Sequence, residues 1–303
     1  MVIPLEILIL LALLSFGASL VNGGLGYGYS SLSTPLALLA LVNRIINPVY
    51  VGVEACVNTA ILGFSGKENI KATFRRSLPV VIFLVPGILV GSFVLATLSS
   101  TWLKLVVYAA ILPLVLLQAA GLRRPIRSEQ KAAAPLGVGI GLLYSVTTIS
   151  GPPIALFWNN QGLEKQQFRA AIAQVRIAES YLTAISYYFL GLFTVTSLQI
   201  FSWIAPPVLI GIPLGMFVVK KVGTETFRRV CMSFDAWIVG FGLAVVIGNL
   251  FGLLDFGYSV WAIDIGIDAW LLYRFFTGRR LPFQPQQKVS VRPPSPEVPL
   301  EGT

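Results

Sequence analysis

The sequence predicts an all-α membrane protein: a polytopic helical bundle with two inverted repeats, each containing a broken or re-entrant Gly-rich hairpin. Three observations lead there. Of the 303 residues 55% are hydrophobic and 12% charged, about half the charged fraction of a soluble domain, so the apolar surface exceeds what one water-soluble core can hide. Apolar runs of roughly 20 residues, the length that crosses a bilayer as a helix, recur from Val2 almost to Phe276. The two halves also echo each other. Gly87-Ile-Leu-Val-Gly-Ser-Phe-Val94 matches Gly211-Ile-Pro-Leu-Gly-Met-Phe-Val218 at five of eight positions, and the same offset pairs Leu103-Lys-Leu-Val106 with Phe227-Arg-Arg-Val230.

The apolar segments fall at 2–20, 25–42, 48–64, 78–98, 102–122, 135–160, 170–190, 200–219, 230–250 and 258–276. The first resembles a signal sequence, yet it lacks a basic n-region and carries Glu6, so it is expected to be retained. Residues 1–276 form a single transmembrane domain, with repeat one at about 2–122, repeat two at about 135–250 and an extra C-terminal helix at about 258–276. The remaining residues, 277–303, are rich in Pro and Gln and are expected to be a disordered tail.

Charge placement orients the halves. The loops with Lys67, Lys71, Arg75 and Arg76, with Arg123, Arg124, Arg127 and Lys131, with Lys165 and Arg169, and with Lys220, Lys221, Arg228 and Arg229 should be cytoplasmic, whereas those near Ser99 and Thr194 are uncharged. The segment 135–160 must then leave and return to one side, and its 26 residues are too few for two crossings of about 20 each. It is therefore expected to be a hairpin interrupted around Ser150-Gly-Pro-Pro153. A similar break is expected around Asn22-Gly-Gly-Leu-Gly-Tyr-Gly28, with flanks long enough for either full crossings or a re-entrant hairpin. Each repeat then holds three crossings beside one hairpin, and an odd number inverts the second repeat. The last segment returns the C-terminus, with Arg274, Arg279 and Arg280, to the cytoplasm.

The net charge of +9 lies in short loops between apolar runs, which fits membrane topology and not nucleic acid. With no histidine in the chain, imidazole proton relays, His-ligated haem and the common zinc-hydrolase arrangements are absent, so proton chemistry must use carboxylates. Cys56 and Cys231 are far apart inside apolar runs, suggesting neither a disulfide nor a metal site, and are expected to be buried thiols. No cofactor, metal site or nucleophile arrangement is indicated, so an intramembrane enzyme is the weaker reading.

Irregular backbone inside a membrane is tolerated only where protein or a water-filled cavity satisfies its polar groups. Free amides and half-helix dipoles at such breaks can hold an anion. Candidate substrate-binding residues are therefore Asn22, Gly23, Gly24 and Gly26 in the first break and Ser150, Gly151, Pro152 and Pro153 in the second. Ionisable groups within apolar segments are functional candidates by default: Glu54, Arg176, Glu179 and Asp235. Glu54 and Asn58 are one turn apart, and Arg176, Glu179 and Thr183 share a face. Asn58 and Arg176 are further substrate-binding candidates; Arg176 either binds the anion or neutralises Glu179. Glu54 and Glu179 are the candidates for proton coupling. Glu54 has no basic residue nearby in its own segment and is expected to carry the proton, whereas Glu179, beside Arg176, is expected to stay ionised. Asp264 and Asp268 lie outside the repeats and are expected to be structural or interfacial.

The Gly-rich break before Pro35, the Ser150-Gly-Pro-Pro153 break followed by Phe168-Arg-Ala170, and the duplicated Gly-Ile-x-x-Gly-x-Phe-Val stretch resemble the TauE/SafE sulfite exporter family over about 2–250. The first break departs from the family pattern in having Tyr27 and Tyr29, and the last segment is additional. The resemblance implies export of sulfite, sulfonates or related small organic anions across the bacterial inner membrane. The residues by themselves point to a secondary transporter with anion-suited breaks, with an anion channel or facilitator as the alternative. The partners expected are a small anionic substrate, the lipid bilayer and protons, and the oligomeric state is left open.

Overall fold

The computed structural model describes residues 3–120, 128–158, 161, 163–222 and 224–277. Among them are eleven helices and no strand: α1 (Leu5–Leu25), α2 (Tyr29–Ala40), α3 (Asn43–Phe64), α4 (Lys67–Thr97), α5 (Ser100–Ala119), α6 (Glu129–Thr147), α7 (Gly151–Trp158), α8 (Lys165–Phe189), α9 (Val195–Val222), α10 (Thr224–Phe251) and α11 (Leu254–Phe276). Arg123, Arg124, Arg127 and the expected tail beyond residue 277 lie outside the described residues.

Six of these helices, α1, α3, α4, α5, α9 and α10, are long and apolar enough to cross a membrane. Polarity is distributed inside out. Leu13, Ile82, Leu89, Phe93, Leu209 and Phe217 are exposed on the outer faces, while Asn22, Asn58, Glu54, Arg176, Glu179 and Asp235 are fully buried. A chain in water would reverse this; a chain in lipid exposes what lipid solvates.

The two breaks have local causes. α1 ends where Gly26 and Gly28 take positive φ angles, 86° and 107°, which glycine adopts without steric penalty, and the Gly26 amide donates to the Asn22 carbonyl at 2.7 Å. α6 ends at Thr148, whose φ of 61° is left-handed and whose amide donates to the Tyr144 carbonyl at 2.6 Å. Pro152 and Pro153 then allow only a new helix start, because proline suits a first turn and breaks an interior. The helices after the breaks are short. α2 has 12 residues and α7 has 8, so they extend about 18 and 12 Å, against roughly 30 Å of hydrocarbon; neither spans alone.

The first break begins later than the sequence suggests. Asn22, Gly23 and Gly24 are helical, in the last turn of α1, because their small side chains admit neighbouring helices. A Cβ on Gly23 would collide with the Ile212 carbonyl of α9, and one on Gly24 would come within 2.8 Å of the Phe227 ring of α10. A tight helical seam is worth more there than an early bend. Cys56 also departs from expectation: it is exposed on α3, and Cys231 is partly exposed, because an apolar run does not specify which of its faces meets lipid.

Helix contacts come in matched pairs. α4 packs on α6 as α1 packs on α9; α4 packs on α8 as α9 packs on α3; α10 meets α2 as α5 meets α7; and α3 meets α8, and α5 meets α10, across the centre. An exchange of α1–α5 with α6–α10 would generate this pattern. The duplicated glycine motif lies on two of the matched seams. Gly87 and Gly91 of α4 abut Val138, Leu142 and Ser145 of α6, and Gly211 and Gly215 of α9 abut Phe16, Ser19 and Leu20 of α1. Small residues there let the backbones approach closely. α11 packs on α10 outside this arrangement.

Candidate functional site

The two breaks meet. A Cβ on Gly151 would stand 3.0 Å from the Tyr27 side chain, and the hydroxyls of Thr34 and Thr148 share a hydrogen bond of 2.9 Å. α3 and α8 cross beside this meeting point and supply the charged groups.

Glu54 projects from α3 and Arg176 and Glu179 from α8, and all three are fully buried. The Arg176 Nη2 donates to Glu54 Oε1, and its Nε stands 3.8 Å from Glu179 Oε1. The spacing on α8 alone suggests that Arg176 serves Glu179. The structure keeps that ion pair and adds a second partner, since the long arginine side chain also reaches across the α3–α8 interface and makes its hydrogen bond to Glu54. Each carboxylate also receives a serine from its own half's break. Ser30, in the first turn of α2, donates to Glu54 Oε1 at 2.6 Å, and Ser150, immediately before α7, donates to Glu179 Oε1. Ser30 was not among the sequence candidates; its clue is its place just after the glycines of the first break.

One arginine between two carboxylates leaves the cluster with a formal charge of minus one. Such a group is costly to bury unless every charge is paired and hydrogen-bonded. Pairing here is incomplete: Glu54 Oε2, Glu179 Oε2 and Arg176 Nε and Nη1 are buried without hydrogen-bond partners, as are both side-chain polar atoms of Asn22 and of Asn58 and the hydroxyl of Thr183. Asn58 lies one turn beyond Glu54, and Thr183 one turn beyond Glu179, so the two helices carry the same carboxylate-then-polar pattern at the same sequence offset. Buried polar groups are normally satisfied, so the unpartnered atoms of Arg176, Glu54 and Glu179 make this cluster a candidate site for a polar guest.

The remaining candidates divide. Gly26 is in the irregular turn, where an added Cβ would meet the Arg169 side chain at 3.5 Å. Gly23 and Gly24 line helix seams instead. Gly151, Pro152 and Pro153 form the first turn of α7, where the prolines carry no N–H and the Ile154 amide is bonded to the Ser150 carbonyl, so the second break has fewer free amides than its composition suggests. Tyr144 of α6 adds a hydroxyl 2.9 Å from Ser180 Oγ, next to Arg176.

Asp235 of α10 is fully buried beside Ser31 of α2, the residue that follows Ser30. Asp264 and Asp268 of α11 are buried against α10, with Ser233 donating to Asp268 at 2.9 Å. Among the described residues no group of three or more metal-ligating side chains gathers.

Comparison with curated proteins and with solved structures gave no significant match. The family model described as sulfite exporter TauE/SafE matches residues 11–240, which include both breaks, both glycine seams and the whole of the Glu54–Arg176–Glu179 cluster. α11 lies beyond the match. The chain belongs to the sulfite exporter TauE/SafE family, a family of membrane transporters.

Proposed function

We propose that the protein exports sulfite, sulfonates or related small organic anions across the bacterial inner membrane, with the anion bound at Arg176 and its movement linked to a proton on Glu54. The observation that carries this reading is the buried cluster in which two carboxylates share one arginine where the two helix breaks meet.

Charge balance supplies the mechanism. With both carboxylates ionised, the Arg176 charge is already balanced by two carboxylates, and an arriving anion would raise the cluster from one to two net negative charges in a low-dielectric interior, which is prohibitive. A proton on Glu54 removes that obstacle and frees Nη2 to donate to the anion. Loading is then anion plus proton, which leaves the net charge of the site unchanged. Glu54 is the coupling residue because it holds the arginine directly and must release it. Glu179 keeps its contact with Arg176 throughout. Ser30 and Ser150 steady the two carboxylates, and Asn22, Asn58 and Thr183 offer the buried polar atoms that a tetrahedral or planar oxyanion would use.

Two inverted repeats, 2–122 and 135–250, account for the matched helix contacts and for the same offset separating Glu54 from Glu179 and Asn58 from Thr183. Together with the distribution of Lys and Arg, they support a cytoplasmic C-terminus. The test is substrate binding and counterflow. Sulfite, thiosulfate, sulfoacetate, taurine and short carboxylates are compared for thermal stabilisation of the purified protein, and the best is followed as labelled counterflow in proteoliposomes. Stabilisation by anions but not by zwitterionic taurine, with counterflow, supports an anion carrier; stabilisation without counterflow favours a channel; absence of both rejects the reading.

A further inference from the structure

We infer that Arg169 is a second anion contact, confined to one face of the membrane, that makes the cytoplasmic approach to the site stronger than the opposite one. The inference rests on the anion-transport reading above and concerns what distinguishes the two faces.

Arg169 lies in the first turns of α8, seven residues before Arg176. Two helical turns therefore separate the two residues along α8, a rise of about 10 Å. Its Nη2 donates to the Gly23 carbonyl at 3.2 Å, and its side chain packs 3.5 Å from the Cβ position of Gly26. The residue is half-buried, and among the described residues no carboxylate pairs with it. A cation at the C-terminal end of α1 is favourable for the helix dipole, but that role needs only one N–H. Among the described residues no opposite charge balances this cation beside the first break.

The other half of the molecule handles the same task differently. Asn47, near the start of α3, donates through Nδ2 to the Val146 carbonyl at 2.7 Å, so the end of α6 is held by a neutral, fully buried amide. Arg44, at the sequence offset that also relates Glu54 to Glu179, is committed to the end of α4, donating to the carbonyls of Leu95 and Leu98 at 3.0 and 2.8 Å. One break is thus closed by a neutral group and the other by a half-exposed cation with no carboxylate partner among the described residues. In a transporter whose two faces are otherwise related by exchange of its halves, this difference gives the faces unequal affinity for an anion. The stronger face is the one at which α8 begins, which is cytoplasmic in the proposed topology. An exporter needs capture there.

The test compares initial uptake of radiolabelled sulfite by inside-out and right-side-out membrane vesicles bearing the parent, Arg169→Asn or Arg169→Lys, with thermal melts of each purified protein. The asparagine copies the neutral closure of the other break and so retains a capping group. For the parent, KM should be lower in inside-out vesicles. Arg169→Asn should raise that KM about tenfold, the loss of one charge-assisted contact, with little change in right-side-out vesicles, and Arg169→Lys should recover most of the difference. A lower melting temperature with KM unchanged in both vesicle types makes Arg169 only a helix cap and overturns the inference. An equal rise at both faces overturns its face-specific character. No sulfite uptake by the parent in either preparation removes the anion-transport reading, and this inference with it.

Discussion

Replacing Arg176 by Gln removes the only cation from a cluster that contains two buried carboxylates. The Arg176 and Glu54 side chains are each 1% exposed, and Glu179 is 0% exposed. Gln can keep one hydrogen bond to Glu54 but offers no charge. Breaking a buried pair by removing one partner costs about 3–5 kcal/mol. At about 2 °C per kcal/mol for a chain of this size, the melting temperature should fall on the order of 6–10 °C. Glu54→Gln should cost far less, because Arg176 and Glu179 remain as a neutral pair. The triple change Arg176→Gln, Glu54→Gln and Glu179→Gln should recover most of the loss, since no net charge is left buried. Melting is followed by tryptophan fluorescence of protein purified in one detergent, so that all variants share a reference state. A fall of less than about 2 °C for Arg176→Gln, or a triple variant less stable than the single one, would refute the buried cluster, because an exposed pair is worth only about 0–1 kcal/mol.

Three further outcomes follow from the same structure. Sulfite flux in proteoliposomes should respond to an imposed pH gradient in the parent and lose that response in Glu54→Gln while exchange persists; an equal response in both excludes Glu54 as the coupling residue. In a background lacking Cys56 and Cys231, a cysteine at Ser128 should react with impermeant thiol reagents from the cytoplasm and one at Thr196 from the opposite side, and cytoplasmic labelling of Thr196 would overturn the inverted arrangement. Gly87→Leu should destabilise the protein by about 1–3 kcal/mol or more through overpacking, because its Cβ would strike the Val138 carbonyl, whereas Gly17→Leu, with nothing within 4 Å, should change stability by less than about 0.5 kcal/mol; comparable melts for the two would contradict the α4–α6 seam.

The membrane class and the order of the helices were legible because lipid imposes long apolar runs, and Ser150-Gly-Pro-Pro153 marked a helix start because proline tolerates few alternatives. The duplicated glycines were legible as a matching motif in the two halves, though not as seams, since close approach depends on a partner backbone far along the chain. The first break was harder to place. Gly23 and Gly24 read as breakers by local propensity, yet they stay helical because α9 and α10 press against them, a tertiary gain that outweighs a propensity of roughly 1 kcal/mol per glycine. The partner of Arg176 was illegible for a related reason. Spacing along α8 ranks Glu179 as its neighbour, but the direct bond goes to Glu54 on another helix, and no periodicity within one segment encodes which residue faces it across an interface. Ser30 and Arg169 escaped for the same cause; one looked like an ordinary polar residue and the other like a loop charge.

The interlaced seams limit how this molecule can move. Because α1 is clasped to α9, and α4 to α6, each half has its longest glycine-lined contact with the other half and not with itself. Cutting the chain between α5 and α6 would therefore expose two bare backbone surfaces, and neither fragment should fold alone. Co-expressed fragments should reassemble only together, like two hands with interlocked fingers. A hinge that opened the site would likewise run between composite units, α1 with α9 and α3 on one side and α4 with α6 and α8 on the other, so that Glu54 and Arg176 face each other across the line where they part.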